Sequence, residues 1–117
     1  MARILIVDDE PDVLAVLARM LEAEGHAVKS AGSAEEGLEQ LGAGSYDLIL
    51  MDIDLPRMTG FEAIQRFSER SAAPILLMSG HADESFREDA KLLGARGLLG
   101  KPFDSNELIK AVREALR

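Results

Sequence analysis

Two adjacent carboxylates, Asp8-Asp9, follow the apolar run Ile4-Leu5-Ile6-Val7, and a third, Asp52, ends the run Leu48-Ile49-Leu50-Met51. A lysine followed by proline, Lys101-Pro102, ends another such stretch after Leu98-Leu99-Gly100. Short apolar runs between helical segments have the character of buried parallel strands. In an open α/β sheet the carboxyl ends of such strands face one crevice. Three carboxylates and one ammonium would therefore meet at a single edge. Like charges that close repel one another unless something positive sits among them. A hard divalent cation suits oxygen ligands of this kind, with Lys101 as a second positive group.

The elements that must carry these groups alternate five times. Strand-like segments lie near 3–7, 26–30, 47–51, 74–78 and 96–100. The second, His26-Ala27-Val28-Lys29-Ser30, is half polar and belongs at a sheet edge. Helical spacing of apolar residues appears in Val13, Leu14, Leu17, Met20 and Leu21, and again in Leu108, Ile109, Val112 and Leu116. Pro11 suits a first helical turn, and Gly25 and Gly94 suit helix C-termini. Ser33-x-x-Glu36, Thr59-x-x-Glu62 and Asp104-x-x-Glu107 have the spacing of capping boxes. The pattern is (βα)5, an α/β chain expected to form one domain over residues 1–117 with no linker or repeat.

Composition narrows the function. The chain has 117 residues, enough for a two-sided core. Its formal net charge of −8 offers no basic patch for phosphate backbones, which argues against nucleic acid as a direct partner. There is no cysteine, so disulfides are excluded. No apolar stretch approaches the ~18 residues of a membrane span, and no signal-peptide pattern opens the chain. A cytoplasmic location without membrane association is the expectation.

In this arrangement the residues resemble the receiver domains of bacterial two-component response regulators. The resemblance rests on Ile-Val-Asp8-Asp9-Glu10-Pro, Met-Asp52-Ile-Asp54-Leu-Pro56-Arg-Met58-Thr-Gly60, Met-Ser79-Gly80 and Lys101-Pro102-Phe103, in order on four strand ends. It implies a doubly wound, flavodoxin-like sheet of five parallel strands in the order 2-1-3-4-5. It also implies that Asp52 accepts a phosphoryl group from a histidine kinase or histidine phosphotransfer protein. Asp9 and Asp52 would then ligate Mg2+ directly, Asp8 through water, and Asp54 through its backbone carbonyl. Lys101, aimed by a cis bond to Pro102, and the Ser79 hydroxyl would serve the phosphoryl oxygens, with Gly80 leaving space beside them. The chain would catalyse only its own phosphorylation and dephosphorylation.

Blander readings stand beside each of these. Asp8 and Asp9 could cap the first helix, Ser79 could bond to backbone, and Lys101 could be an exposed lysine. Asp52-Ile-Asp54 is also the Asp-x-Asp pattern of haloacid-dehalogenase-type phosphatases. That class places the motif after the first strand with Thr or Val two residues on, whereas here it follows the third strand with Pro56 in that place. A degenerate receiver acting only as a binding module is opposed by the intact Asp8, Asp9, Asp52, Ser79 and Lys101. His81 is read as an exposed loop histidine, and Met51, Met58 and Met78 as packing residues. Phe103 is expected against the sheet end. There is one departure from the family: Leu98 stands where many receivers carry Tyr or Phe. Phosphorylation is expected to rearrange the loop after Ser79 and the face spanning residues 82–116, where a downstream protein or output domain would dock.

Overall fold

The computed structural model describes residues 1–80 and 84–117; the expected loop position of His81 lies outside the described residues. Five strands alternate with five helices: β1 (Arg3–Val7), α1 (Pro11–Ala23), β2 (Ala27–Ala31), α2 (Ala34–Ala43), β3 (Leu48–Asp52), α3 (Gly60–Arg70), β4 (Ile75–Ser79), α4 (Glu84–Leu92), β5 (Gly97–Gly100) and α5 (Ser105–Ala115). The strands form one parallel sheet in the order β2-β1-β3-β4-β5, as the resemblance implied.

Period-two alternation decides which core each strand residue enters. Ile4, Ile6, Leu48, Leu50, Leu76, Met78 and Leu99 meet Leu17 and Leu21 of α1 and Leu108 and Val112 of α5. Leu5, Val7, Ile49, Met51, Leu77 and Leu98 meet Leu38 and Leu41 of α2, Ile64 and Phe67 of α3, and Ala90 of α4. Every residue of β3 and β4 is buried, whereas β2 is mostly exposed and lies at an edge. Full burial of one such large apolar side chain contributes about 1.5–3 kcal/mol. This two-sided core positions the sheet edge. Met51, Met58 and Met78 are all buried in it.

Four strands start one residue later than the apolar runs suggest, and three of them also end one later. Pro74, with no N–H to donate, stands just outside the ladder and only accepts, from Ile49 N–H at 2.9 Å. The shift has a functional consequence. Asp52 and Ser79 become the last residues of β3 and β4, paired to Met78 and Gly100, instead of the first residues beyond them.

Helix ends follow the expected signals. Pro11 is at the start of α1, and Gly25 (φ 91°) and Gly94 (φ 104°) turn the chain after α1 and α4. Ser33, Thr59 and Asp104 each accept a hydrogen bond from the backbone N–H three residues on, a cap worth about 1 kcal/mol. Only Asp104-Glu107 closes the reciprocal box. The Glu36 carboxylate reaches Gly32 N–H instead, at 3.0 Å, and Glu62 turns to Arg66 at 3.3 Å.

Beside β2, His26 Nδ1 accepts the Ala2 backbone N–H at 3.1 Å. Burial, and then the positive N-terminus, hold its pKa below the usual 6.5. The unfolded chain therefore binds the proton more readily than the folded one. This group's contribution is complete above pH 6.5 and is lost as pH falls through the lower folded value. His26→Gln should flatten that part of the curve. Urea midpoints at about pH 5 and about pH 8 are the check; an equal drop on acidification in wild type and variant would refute the assignment.

Candidate functional site

The carboxyl ends of β1, β3, β4 and β5 converge on Lys101. Its Nζ donates to Asp52 Oδ2 at 2.9 Å and to Asp8 Oδ2 at 3.3 Å. The second oxygen of each carboxylate is also fixed locally. Asp8 Oδ1 accepts Glu10 N–H and Asp52 Oδ1 accepts Asp54 N–H, each at 2.9 Å and each from two residues downstream. Both strands thus end in the same side-chain-closed turn. The Lys101–Pro102 peptide is cis, and Lys101 N–H donates to Ser79 O at 2.7 Å, tying β5 to the end of β4.

Burial sharpens the electrostatics. Asp8 is 0% exposed, Asp52 5% and Ser79 1%. Burial pushes the Asp8 carboxyl above its usual range, and the Asp52 charge adds to this; the Glu10 N–H and Lys101 pull the other way. Burial alone would lower Lys101, but its contacts with Asp52 and Asp8 outweigh that and raise it. The ammonium is thus held charged between two carboxylates. Among the described residues no buried side-chain nitrogen or oxygen lacks a hydrogen-bond partner.

The other expected site residues divide. Asp9 is exposed, and its carboxylate groups with those of Asp8 and Glu10, one oxygen of each lying within 4.8 Å of the others. Hard carboxylate oxygens at this spacing fit a divalent cation. Asp52 is joined to this group through Lys101, while the Asp54 side chain points to solvent. Glu10 had no role in the sequence reading, although its place beside Asp8-Asp9 was a signal. Among the described residues, a Cβ built on Gly80 meets nothing within 4 Å, which leaves space beside Ser79.

Two cavities flank the site. One, about 550 Å³, is lined by Asp54, Arg57, Met58, Ser79 and Phe86 among others; Arg57 holds φ 67° there, a left-handed conformation unusual for a bulky residue. The other, about 520 Å³, runs from Lys101 and Phe103 along Val13, Val16 and Met20 of α1. Phe103 is half-buried against the α1–α5 core. Leu98, in the position of the usual aromatic, is buried, and its carbonyl accepts a hydrogen bond from Arg87 of α4 at 2.7 Å. Phe86 of α4 instead packs its ring 5.6 Å from that of Phe61 of α3.

A family model described as the response regulator receiver domain matches residues 4–113. The chain belongs to the response regulator receiver family. These are receivers of two-component signalling, not a conventional enzyme family. Protein PilH of Pseudomonas aeruginosa is 37% identical over 99% of this receiver and 98% of its own length. The transcriptional regulatory protein CpxR homolog of Haemophilus influenzae is 32% identical over the whole of this receiver but only 51% of its own length. The chain likewise spans about half the length of several other curated relatives that it matches. Among solved structures, the response regulator TrrA of Thermotoga maritima, in complex with Mg2+-BeF, is 32% identical with a TM-score of 0.86. It is covered completely, by 99% of this receiver. No helix among the described residues is long and apolar enough to cross a membrane.

Proposed function

We propose that this receiver takes a phosphoryl group from a phosphohistidine donor onto Asp52. The observation that carries the reading is the single ammonium of Lys101 bridging the buried ends of β1 and β3, with the hydroxyl-bearing Ser79 ending β4 alongside. An Asp52 oxygen attacks phosphorus, the N–P bond of the donor breaks, and the imidazole leaves with its electron pair. The product is an acyl phosphate on Asp52. A transferring phosphoryl group calls for positive charge on its oxygens and little covalent help from the protein. Lys101 supplies one such charge by moving from Asp52 to a phosphoryl oxygen, and the Ser79 hydroxyl donates to another.

The acidic cluster of Asp8, Asp9 and Glu10 fits a magnesium ion, which Asp8, Asp9 and Asp52 would hold together with the Asp54 backbone carbonyl. Such an ion would supply positive charge beside the attacking carboxylate. The Mg2+-BeF complex of TrrA supports this choice of ion. The donor is a histidine kinase or histidine phosphotransfer protein in the cytoplasm. The added charge shifts a conformational equilibrium. Its output surface is the part of residues 82–116 that includes α4, β5 and α5, which adjoins both Ser79 and Lys101.

Incubation with acetyl phosphate and Mg2+ should add one phosphoryl group to the intact mass. The addition should disappear with EDTA and in Asp52→Asn. Equal labelling of Asp52→Asn would place the acceptor elsewhere, and no labelling of wild type would sink the reading.

A further inference from the structure

Among the described residues Arg57 is the one non-glycine residue with positive φ, at 67°. Non-glycine residues in such backbone conformations concentrate at working sites, where the surrounding structure holds them. Arg57 lies five residues beyond Asp52, on the loop between β3 and α3. It lines the cavity that also reaches Asp54 and Ser79, and it is the sole cation among the described residues lining it.

Among the described residues, Glu35 is the one ion-pair partner of its guanidinium. Its guanidinium is 4.0 Å from Glu35, both side chains are well exposed at 76% and 46%, and no hydrogen bond closes the pair. Contacts of that kind are readily exchanged. The surroundings, by contrast, present a problem for any phosphodonor. Asp9, Glu10 and Asp54 are exposed acids at the same edge, and the chain carries −8 overall. A dianionic donor approaching Asp52 meets this negative rim, and Lys101 is already engaged by two carboxylates.

We infer that Arg57 recruits the anionic donor to the Asp52 cleft, exchanging its loose contact with Glu35 for the incoming phosphoryl oxygens. This rests on the phosphoacceptor reading above. The role is electrostatic and lies in binding: Arg57 raises the local concentration of donor at the rim and takes no part in bond making. A guanidinium on a solvated loop acts over about a Debye length, so its effect weakens with added salt.

The test uses the full chain with Mg2+ and two small donors, dianionic acetyl phosphate and monoanionic phosphoramidate. Initial rates come from intact-mass time courses, since the chain has no tryptophan to report the reaction. Arg57→Asn removes the charge with a residue that tolerates this backbone conformation. It should raise the half-saturating acetyl phosphate concentration several-fold at low salt and leave the limiting rate unchanged. Phosphoramidate should respond less, and the difference should shrink as salt is added. Arg57→Lys should restore the wild-type value. Arg70→Gln, which removes the same charge at the far end of α3, should not reproduce the change. An unchanged half-saturating concentration in Arg57→Asn, or a Lys variant that fails to restore it, would overturn the inference while leaving Asp52 as acceptor. No labelling of wild type by either donor would overturn both.

Discussion

Lys101→Ala is expected to slow labelling of Asp52 by acetyl phosphate by about 100-fold or more, the usual cost of removing one preorganised partner of a developing negative charge. The same substitution should also lower stability. Lys101 Nζ lies 3.3 Å from Asp8 and 2.9 Å from Asp52, whose side chains are 0% and 7% exposed. Removing one member of a buried ion pair costs about 3–5 kcal/mol, because the partner's charge is stranded. Lys101 is 26% exposed and water enters from the site mouth, so the loss here should be smaller, roughly 1–3 kcal/mol. The two effects separate in a double variant. Asp8→Asn with Lys101→Ala removes one of the two stranded charges along with their partner, so urea midpoints should recover part of the lost stability while labelling stays slow. Wild-type labelling by Lys101→Ala would remove Lys101 from the chemistry. An unchanged urea midpoint in that variant would mean the ammonium does not neutralise the buried carboxylates.

Much of this arrangement is legible in the chain because it depends on local pattern. The runs Ile4–Val7, Leu48–Met51 and Ile75–Met78 are apolar throughout, as strands covered on both faces must be. The polar Lys29 and Ser30 mark β2 as an edge. Carboxylates directly after two such runs, and a lysine directly after β5, name the site from the residues alone. The way these groups meet is not local. Lys101 finds its partners 49 and 93 residues away, and which oxygen each offers depends on the turns closed by Asp54 and Glu10. The reciprocity of a capping box is not local either: Glu36 and Glu62 stand at the right spacing, but Gly32 N–H and Arg66 compete for them. The left-handed backbone of Arg57 has no signature in composition or periodicity.

Gly60→Ala should destabilise the fold by roughly 1–3 kcal/mol, the usual range for overpacking, against the direction helix propensity predicts. Gly60 opens α3 immediately after its Thr59 cap, and its φ lies outside the positive region that favours glycine. Alanine there would ordinarily stabilise by about 0.4–1 kcal/mol through the unfolded chain. The obstacle is contact. A Cβ at Gly60 would come within 2.8 Å of Ile53 Cα, an approach real Cβ atoms do not make. Because the neighbour is backbone, no rotamer change relieves it. Nor is Ile53 free to retreat: its N–H donates to Met78 O at 3.0 Å, and its side chain is buried in the α2–α3 core. Ile53 directly follows Asp52, so any displacement reaches the carboxylate and its bond from Asp54 N–H. Labelling by acetyl phosphate should therefore slow together with the loss of stability. Gly42→Ala is the matched comparison. It sits in α2, where an added Cβ meets nothing within 4 Å, and it should stabilise by about 0.4–1 kcal/mol. Urea midpoints of the two variants should move in opposite directions. If both rise, the approach of α3 to Ile53 is looser than described and glycine is not required there.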